Sequence, residues 1–388
     1  MKNILILTEA FPPVLNSSSK LIDELCLGLV SQKIAVTVLT ESNSLMSKEI
    51  DYKDGIKLKL IPNILSKKKG FLIRGLREIL LPIIFSYYGR KIIKEKKIEG
   101  IFIYSPPLTL GLCKLFFKNV PSILNVQDIF PQHAKDLKII SSKFVYNFFK
   151  FIQKIAYVKN DFVVCQSREC ELYLKAIYPK LNKKISHILN WQSFDKDKFG
   201  IGNQSVLKRS IVYCGNIGPA QDIISFISHP SFKSMHYKLN IYGEGSEKEN
   251  LISYLNEFPN NDISISNAVH QAELGRIFAG QSFGLVTLSK SSSTPIFPGK
   301  ILTYLEYGLP ILVFAPKESK LDSLIEREKF GLYIEANSLL DENISKQMDA
   351  FIIKNREVNS SIERYLKEKS SPNVAAKKII HLLKNCSG

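Results

Sequence analysis

Short apolar runs alternating with stretches of helical apolar spacing set the pattern of this chain. The first run, residues 3–8, is bounded by turn residues and predicts a buried parallel strand. Phe11, Pro12 and Pro13 end it, and Asn16 to Ser19 supplies N-cap residues for a helix reaching Gln32. Residues 34–39 are rich in β-branched side chains and predict a second strand. Strand, loop, helix and strand make the βαβ unit of a doubly wound sheet. Further strands are predicted at 56–61, 99–104, 122–126, 161–165 and 185–189. The alternation lapses at residue 190, in a polar, aperiodic stretch that reads as a linker. It resumes with predicted strands at 210–214, 238–242, 263–265, 283–288, 310–314 and 331–334, followed by helical sequence ending in a basic helix at 374–383. The expected domains are therefore 1–190 and 210–372, with a linker at 191–209 and a terminal helix at 373–388 that could cross back to the first domain. The halves share one α/β architecture without a sequence repeat.

Length and composition agree with this division. A chain of 388 residues has room for two domains, and 45% hydrophobic with 23% charged residues marks a globular protein. The six cysteines (26, 113, 165, 170, 214 and 386) show no metal-ligand spacing and fall mostly in apolar runs, which suggests reduced core residues in a cytoplasmic protein. The N-terminal apolar run is too short for a signal peptide, and no run reaches the roughly 18 apolar residues that spanning a bilayer requires. Charge changes the picture more. Of the formal net charge of +17, residues 1–190 carry 30 Lys+Arg against 15 Asp+Glu, and the remainder is close to neutral. The first half is expected to face a polyanion. There is no helix-turn-helix, RNP or zinc pattern, so a membrane surface is favoured over nucleic acid.

Three glycine turns fall at or after predicted strands of the second half. They are Gly215 with Asn216, Gly243-Glu244-Gly245, and Pro298-Gly299-Lys300. After Lys300 the apolar spacing of Ile301, Leu302, Leu305 and Leu309 predicts a helix closed by Gly308 and Pro310. A tight glycine turn, a lysine and a helix start favour an anion, and the amides of Gly215 and Asn216 could hold a diphosphate. The plainer reading is tight turns and a solvated lysine. No Walker or Rossmann phosphate signature is present, which argues against an ATPase or an NAD enzyme.

Two basic, aromatic segments stand out in the first half. Lys67, Lys68, Lys69, Arg74 and Arg77 precede an apolar centre at 79–88, and five more basic residues follow it by Lys97. The segment 138–159 holds five lysines, no acidic residue, and Phe144, Tyr146, Phe148, Phe149 and Phe151. Such segments suit a membrane interface; alternatively they are core helices with basic outer faces. Asp128 directly follows a predicted strand, with His133 a turn further on. Either could accept a proton from a hydroxyl nucleophile, or Asp128 could simply cap the next helix. No metal-ligand constellation is evident.

The chain resembles the family-four GT-B glycosyltransferases over nearly its whole length. It is nearest to the bacterial O-antigen and capsule subgroup that includes N-acetyl-L-fucosamine transferases. Residues 127–132 (Gln-Asp-Ile-Phe-Pro-Gln) and 298–310 resemble that subgroup most specifically. Residues 215–221 resemble its diphosphate loop, and Phe11-Pro12-Pro13 with Asn16 and Ser17 resembles its first loop. The resemblance implies two Rossmann-like doubly wound domains facing a cleft. It implies a sugar nucleotide, with UDP as the expected carrier, held by the second domain through Gly215, Asn216, Gly243, Glu244, Gly245, Val269, Leu274, Pro298, Gly299, Lys300 and Thr303. It also implies a lipid-diphosphate-linked acceptor at the first domain on the inner membrane face, a loop contact from Asn16 and Ser17, and no bound metal or other cofactor. The family's paired glutamates are replaced by Pro295 and Thr303, with Glu306 one turn later. A GT-B-type UDP-sugar epimerase and a non-catalytic membrane scaffold are the alternatives.

Overall fold

A computed structural model of the chain describes residues 1–14, 16–42, 46–53, 55–63, 71–201, 209–339 and 343–386, with backbone alone at 71–76 and 355. It divides into two units. The first comprises Met1–Lys135, Ile140–Trp191 and Ser370–Gly388; the second comprises Asp136–Ile139 and Gln192–Lys369.

Among the described residues the first unit holds eight strands: β1 (Asn3–Leu7), β2 (Ala35–Ser42), β3 (Lys48–Lys53), β4 (Ile56–Pro62), β5 (Gly100–Ser105), β6 (Ser122–Val126), β7 (Phe162–Cys165) and β8 (Ile185–His187). Their order is β3-β4-β2-β1-β5-β6-β7-β8. All pairs are parallel except β3 with β4. β3 is the one strand of this unit that the apolar pattern does not predict. Its sequence, Lys-Glu-Ile-Asp-Tyr-Lys, is charged because it forms an exposed edge, where charge discourages pairing with another chain.

Side chains alternate across the sheet. Ile4 and Ile6 pack with the helices Ser17–Ser31 and Pro372–Asn385, whereas Leu5 and Leu7 pack with Phe71–Glu95, the 3₁₀ stretch Leu108–Phe116 and Lys143–Lys159. Both faces are thus covered, as parallel strands require. The terminal helix lies close against the first helix. A Cβ at Gly28 would come within 2.5 Å of the Pro372 carbonyl oxygen, so only glycine fits there. Within the stretch expected as a linker, Trp191 is buried in the first unit's core and donates Nε1–H to the Leu21 carbonyl at 2.6 Å. Lys196–Phe199 forms a short helix capped by Asp195.

The second unit is a parallel sheet of β9 (Ser210–Cys214), β10 (Lys238–Tyr242), β11 (Ile263–Ser266), β12 (Phe283–Thr287), β13 (Ile311–Ala315) and β14 (Gly331–Glu335), in the order β11-β10-β9-β12-β13-β14. In each sheet the chain starts mid-sheet, builds to one side, then returns to build the other. The reversal opens a crevice beyond the carboxyl ends of β1 and β5 in one unit, and of β9 and β12 in the other.

One expectation is corrected by helix phase. Arg77 does not face a membrane. It lies on the inner side of Phe71–Glu95, in line with Leu81 and Phe85, and pairs with Glu9 and Glu41, which follow β1 and end β2. The outer side carries Ile79, Ile83 and Tyr87, then Arg90, Lys91 and Lys94, all exposed. Lys67, Lys68, Lys69 and the Arg74 side chain lie outside the described residues.

Removing the Arg77 cation would leave two carboxylates crowded without a counter-charge. Arg77→Met is expected to destabilise the first unit by about 3–5 kcal/mol, read as a lower urea midpoint at unchanged m-value.

Candidate functional site

The second unit's site grows from backbone packing. β9 ends in Gly215 (φ 135°), in the region that favours glycine. The turn after β10 lies directly against it. A Cβ on Gly243 would stand 2.1 Å from the Gly215 carbonyl oxygen, and one on Gly245 would stand 2.0 Å from that of Ile217. The Gly215 amide donates to the Tyr242 carbonyl (2.9 Å) and the Ile217 amide to that of Glu244 (2.8 Å). The Gly215 amide is therefore committed to the sheet, which corrects the expectation that it holds a phosphate. Asn216 sits between these bonds; its side chain donates to Gln221 Oε1 at 3.0 Å and its carbonyl accepts from the Tyr213 hydroxyl.

Lys300 closes this turn from the far side. It begins the helix Lys300–Glu306, and its Nζ lies 3.6 Å from the centre of the Tyr213 ring, beneath Gly215. The ammonium is buried and has no hydrogen-bond partner. Burial disfavours the charged form and lowers its pKa to about 7. The hydroxyls of Thr287, at the end of β12, and of Ser292 and Thr294 are likewise buried and unpartnered. Tyr304, one turn along the same helix, fixes the arrangement. Its hydroxyl accepts from the Cys214 amide (3.0 Å) and donates to the Leu285 carbonyl (3.2 Å), tying the helix to both strands of the crevice.

The other expected residues surround this point unequally. Thr303 is half-buried on the Lys300 helix. Pro298 and Gly299 lead into it, and a Cβ on Gly299 would meet nothing within 4 Å, so the protein itself does not require glycine there. Glu244 is exposed, bonded to Lys248 (2.7 Å), and held below the usual carboxylate range by that bond; Lys248 also reaches Asn267 Oδ1 at 2.8 Å. Val269 and Leu274 are half-buried on the following loop and helix start. Glu306 does not turn towards the site. It is buried and bonded to Lys198 at 2.8 Å.

In the first unit Asp128 follows β6 at the sheet's carboxyl edge. Its carboxylate keeps solvent contact and makes no hydrogen bond to the next helix among the described residues, so it is not that helix's cap. Protein packed closely around it pushes its pKa up, against the pull of His133. His133 is half-buried on Gln132–Asp136, with Nε2 buried and unpartnered. Asn16 caps the first helix through Ser19 N–H (2.8 Å), and Ser17 is exposed in its first turn. Among the described residues no cluster of three or more His, Cys, Asp or Glu could hold a metal ion. Sequence reading missed Tyr213 and Tyr304. The only signal for Tyr304 was its place one turn after the lysine.

No family model matches the chain. No curated protein matches it either. Solved structures do. A glycosyltransferase from Rickettsia africae matches at TM-score 0.65 and 15% identity, covering 99% of this chain and 98% of that one. The lipopolysaccharide outer core galactosyltransferase WaaB matches at 0.62 and 13%, covering 99% of each. Anabaena HepE in complex with UDP matches at 0.61 and 12%, covering 99% and 100%. The fold is GT-B. Its two Rossmann-like units are the two sheets described above, and the GT-B likeness spans the whole chain.

An unpaired buried ammonium penalises the folded state most where it is charged. Below pH 7 Lys300 is charged in both states and the full penalty applies; from pH 7 to 10.5 only the unfolded state holds the proton, so stability rises with pH. Lys300→Met is expected to be more stable than the parent at pH 6, by on the order of 2 kcal/mol, with the gain shrinking towards pH 10 in urea titrations.

Proposed function

We propose that the protein is a glycosyltransferase moving a sugar from a nucleotide diphosphate, UDP being the favoured carrier, to a lipid-diphosphate-linked saccharide in bacterial O-antigen or capsule synthesis. The observation that carries the reading is the buried Lys300 ammonium at the crevice of β9 and β12, which rests on the Tyr213 ring and has no hydrogen-bond partner. A diphosphate would supply the missing counter-charge there, with Asn216 and Thr303 as further donors. Glu244, Gly245, Val269 and Leu274 would receive the nucleoside. Transfer forms a bond from the acceptor hydroxyl oxygen to the sugar's anomeric carbon and breaks the bond from that carbon to phosphate. The electron pair leaves on the diphosphate, where Lys300 stabilises it. The hydroxyl proton passes to Asp128, whose raised pKa suits a proton acceptor, or to His133 Nε2. Lys300 meets the diphosphate's charge without a metal in this reading. The fucosamine subgroup is favoured by residues 127–132 and 298–310.

Membrane contact is supported by one layer of the first unit. Phe71–Glu95 and Lys143–Lys159 share a core with Leu108–Phe116. Outward they present Ile79, Ile83 and Tyr87, then Phe144 (81% exposed), Phe148 and Phe151, among lysines 143, 150, 154 and 159. No helix among the described residues is long and apolar enough to cross a membrane. This surface would instead rest on the inner leaflet, its aromatics in the headgroup layer and its lysines on anionic lipid.

At pH 8 the free Lys300 amine is mostly neutral, and a bound diphosphate favours its charged form. UDP binding should therefore take up close to one proton, seen by calorimetry in buffers of different ionisation heat. Lys300→Met should abolish the uptake and weaken UDP roughly 10–100-fold; unchanged affinity would remove Lys300 from the site. With a UDP-sugar and a lipid-diphosphate acceptor, Asp128→Asn should keep UDP binding and lose transfer if Asp128 is the base. Interconversion of the donor without acceptor would indicate an epimerase, and inertness with retained vesicle binding a scaffold. Phe148→Asp with Phe151→Asp should reduce sedimentation with phosphatidylglycerol vesicles and leave UDP affinity unchanged.

A further inference from the structure

A buried group of four neutral amides lies at the carboxyl edge of the first unit's sheet, below Asp128. Asn125 and Gln127 come from the end of β6, Gln166 follows β7, and Asn190 follows β8. Gln127 Nε2 donates to Asn125 Oδ1 (2.7 Å) and Asn190 Oδ1 (2.9 Å), and its Oε1 accepts from Asn190 Nδ2 (2.8 Å). The backbone of Gln127 is fixed as firmly. Its amide donates to the Ser105 carbonyl at 2.9 Å, and its carbonyl accepts from Gln166 Nε2 at 2.6 Å. That carbonyl belongs to the peptide joining Gln127 to Asp128. Asn190 is itself held, its carbonyl accepting from Ser370 Oγ at 2.6 Å and its Nδ2 donating to Gln166 Oε1 at 3.3 Å.

We propose that Gln166 is a positioning residue, setting the plane of the Gln127–Asp128 peptide and so the direction of the Asp128 carboxylate towards an acceptor hydroxyl. The inference rests on the transferase reading for the hydroxyl, and on hydrogen bonds alone for the geometry. Neutral amides suit the task. A lysine or arginine in place of Gln166 could also donate to the carbonyl, but its charge would draw the Asp128 pKa down and weaken it as a base. The amides hold position without supplying charge; of the group only Asn125 Nδ2 is buried without a partner, while Gln127, Gln166 and Asn190 are tied to one another and to backbone. The titratable groups that interact with Asp128 are His133, Tyr104 and Cys170. None belongs to the amide group; the Cys170 thiol also hydrogen-bonds Gln166, but burial pushes its pKa up to about 12, so it stays uncharged across the pH range of the test.

The test compares the full chain with Gln166→Met and Gln166→Glu. Gln166→Met keeps length and loses the donor. It should lower kcat for transfer by roughly 10²-fold, leave UDP affinity unchanged, and move the acidic limb of the pH–rate profile down as water reaches a loosened Asp128. Gln166→Glu cannot donate when ionised and adds a negative charge, so it should lower kcat and move that limb up. A wild-type rate and limb in Gln166→Met would overturn the proposal. So would a parallel fall of kcat, UDP affinity and melting temperature, which marks a general packing role. If the parent chain transfers no sugar, the transferase reading fails separately. Carbon-13 titration of the Asp128 carboxyl, assigned with Asp128→Asn, still decides the positioning claim, since identical midpoints in parent and Gln166→Met would overturn it.

Discussion

A lysine buried against an aromatic ring, with no hydrogen-bond partner, is the feature around which the second unit's sheet edge is arranged. Burying an ammonium is unfavourable unless something compensates, and Lys300 responds by giving up its proton near neutrality. Its surroundings prevent the simpler outcome, in which the side chain swings out to water. Tyr304 anchors its helix to β9 and β12, and the Tyr213 ring lies 3.6 Å from Nζ. The glycine turns press backbone on backbone, so no side chain at 215, 243 or 245 fills the space. The unit tolerates an unsatisfied group at the mouth of its sheet, where a ligand can satisfy it.

The first unit solves a different problem with different chemistry. Its edge carries a carboxylate, Asp128, and a charged scaffold beneath it would draw its pKa down. Arg77, the strong cation near that edge, is already paired with Glu9 and Glu41. Asp128 is left with neutral amides below it and His133 beside it. One unit therefore carries a buried lysine of lowered pKa and the other a carboxylate of raised pKa, two groups that close packing shifts in opposite directions.

Most of the fold was legible because parallel strands covered on both faces must be continuously apolar. The runs at 3–8, 122–126 and 283–288 admit few other readings. β3 was not legible for the converse reason: an edge strand carries charges, and charges read as loop. Arg77 was misread because composition counts a charge without its helix phase. Inward spacing with Leu81 and Phe85 separates it from the outward set at 79, 83 and 87. The glycine turns were found from sequence, yet the commitment of the Gly215 amide to Tyr242 follows from strand register, which one chain does not display. The amide group at 125, 127, 166 and 190 draws on three strand ends, and polar residues at strand ends are too common to single out.

The missing glutamates and the unpaired lysine belong to one argument. Position 303 lies one turn from Lys300, the spacing at which helical side chains meet. A carboxylate there would share the lysine's charge and return its pKa towards the ordinary value. Threonine leaves the whole cation available and adds a neutral hydroxyl. Glu306, the nearest carboxylate in sequence, is held by Lys198 and so does not restore the negative charge. With threonine at 303 and Glu306 bonded elsewhere, no carboxylate of this helix pairs with Lys300, and the burial of its ammonium is left to set its pKa.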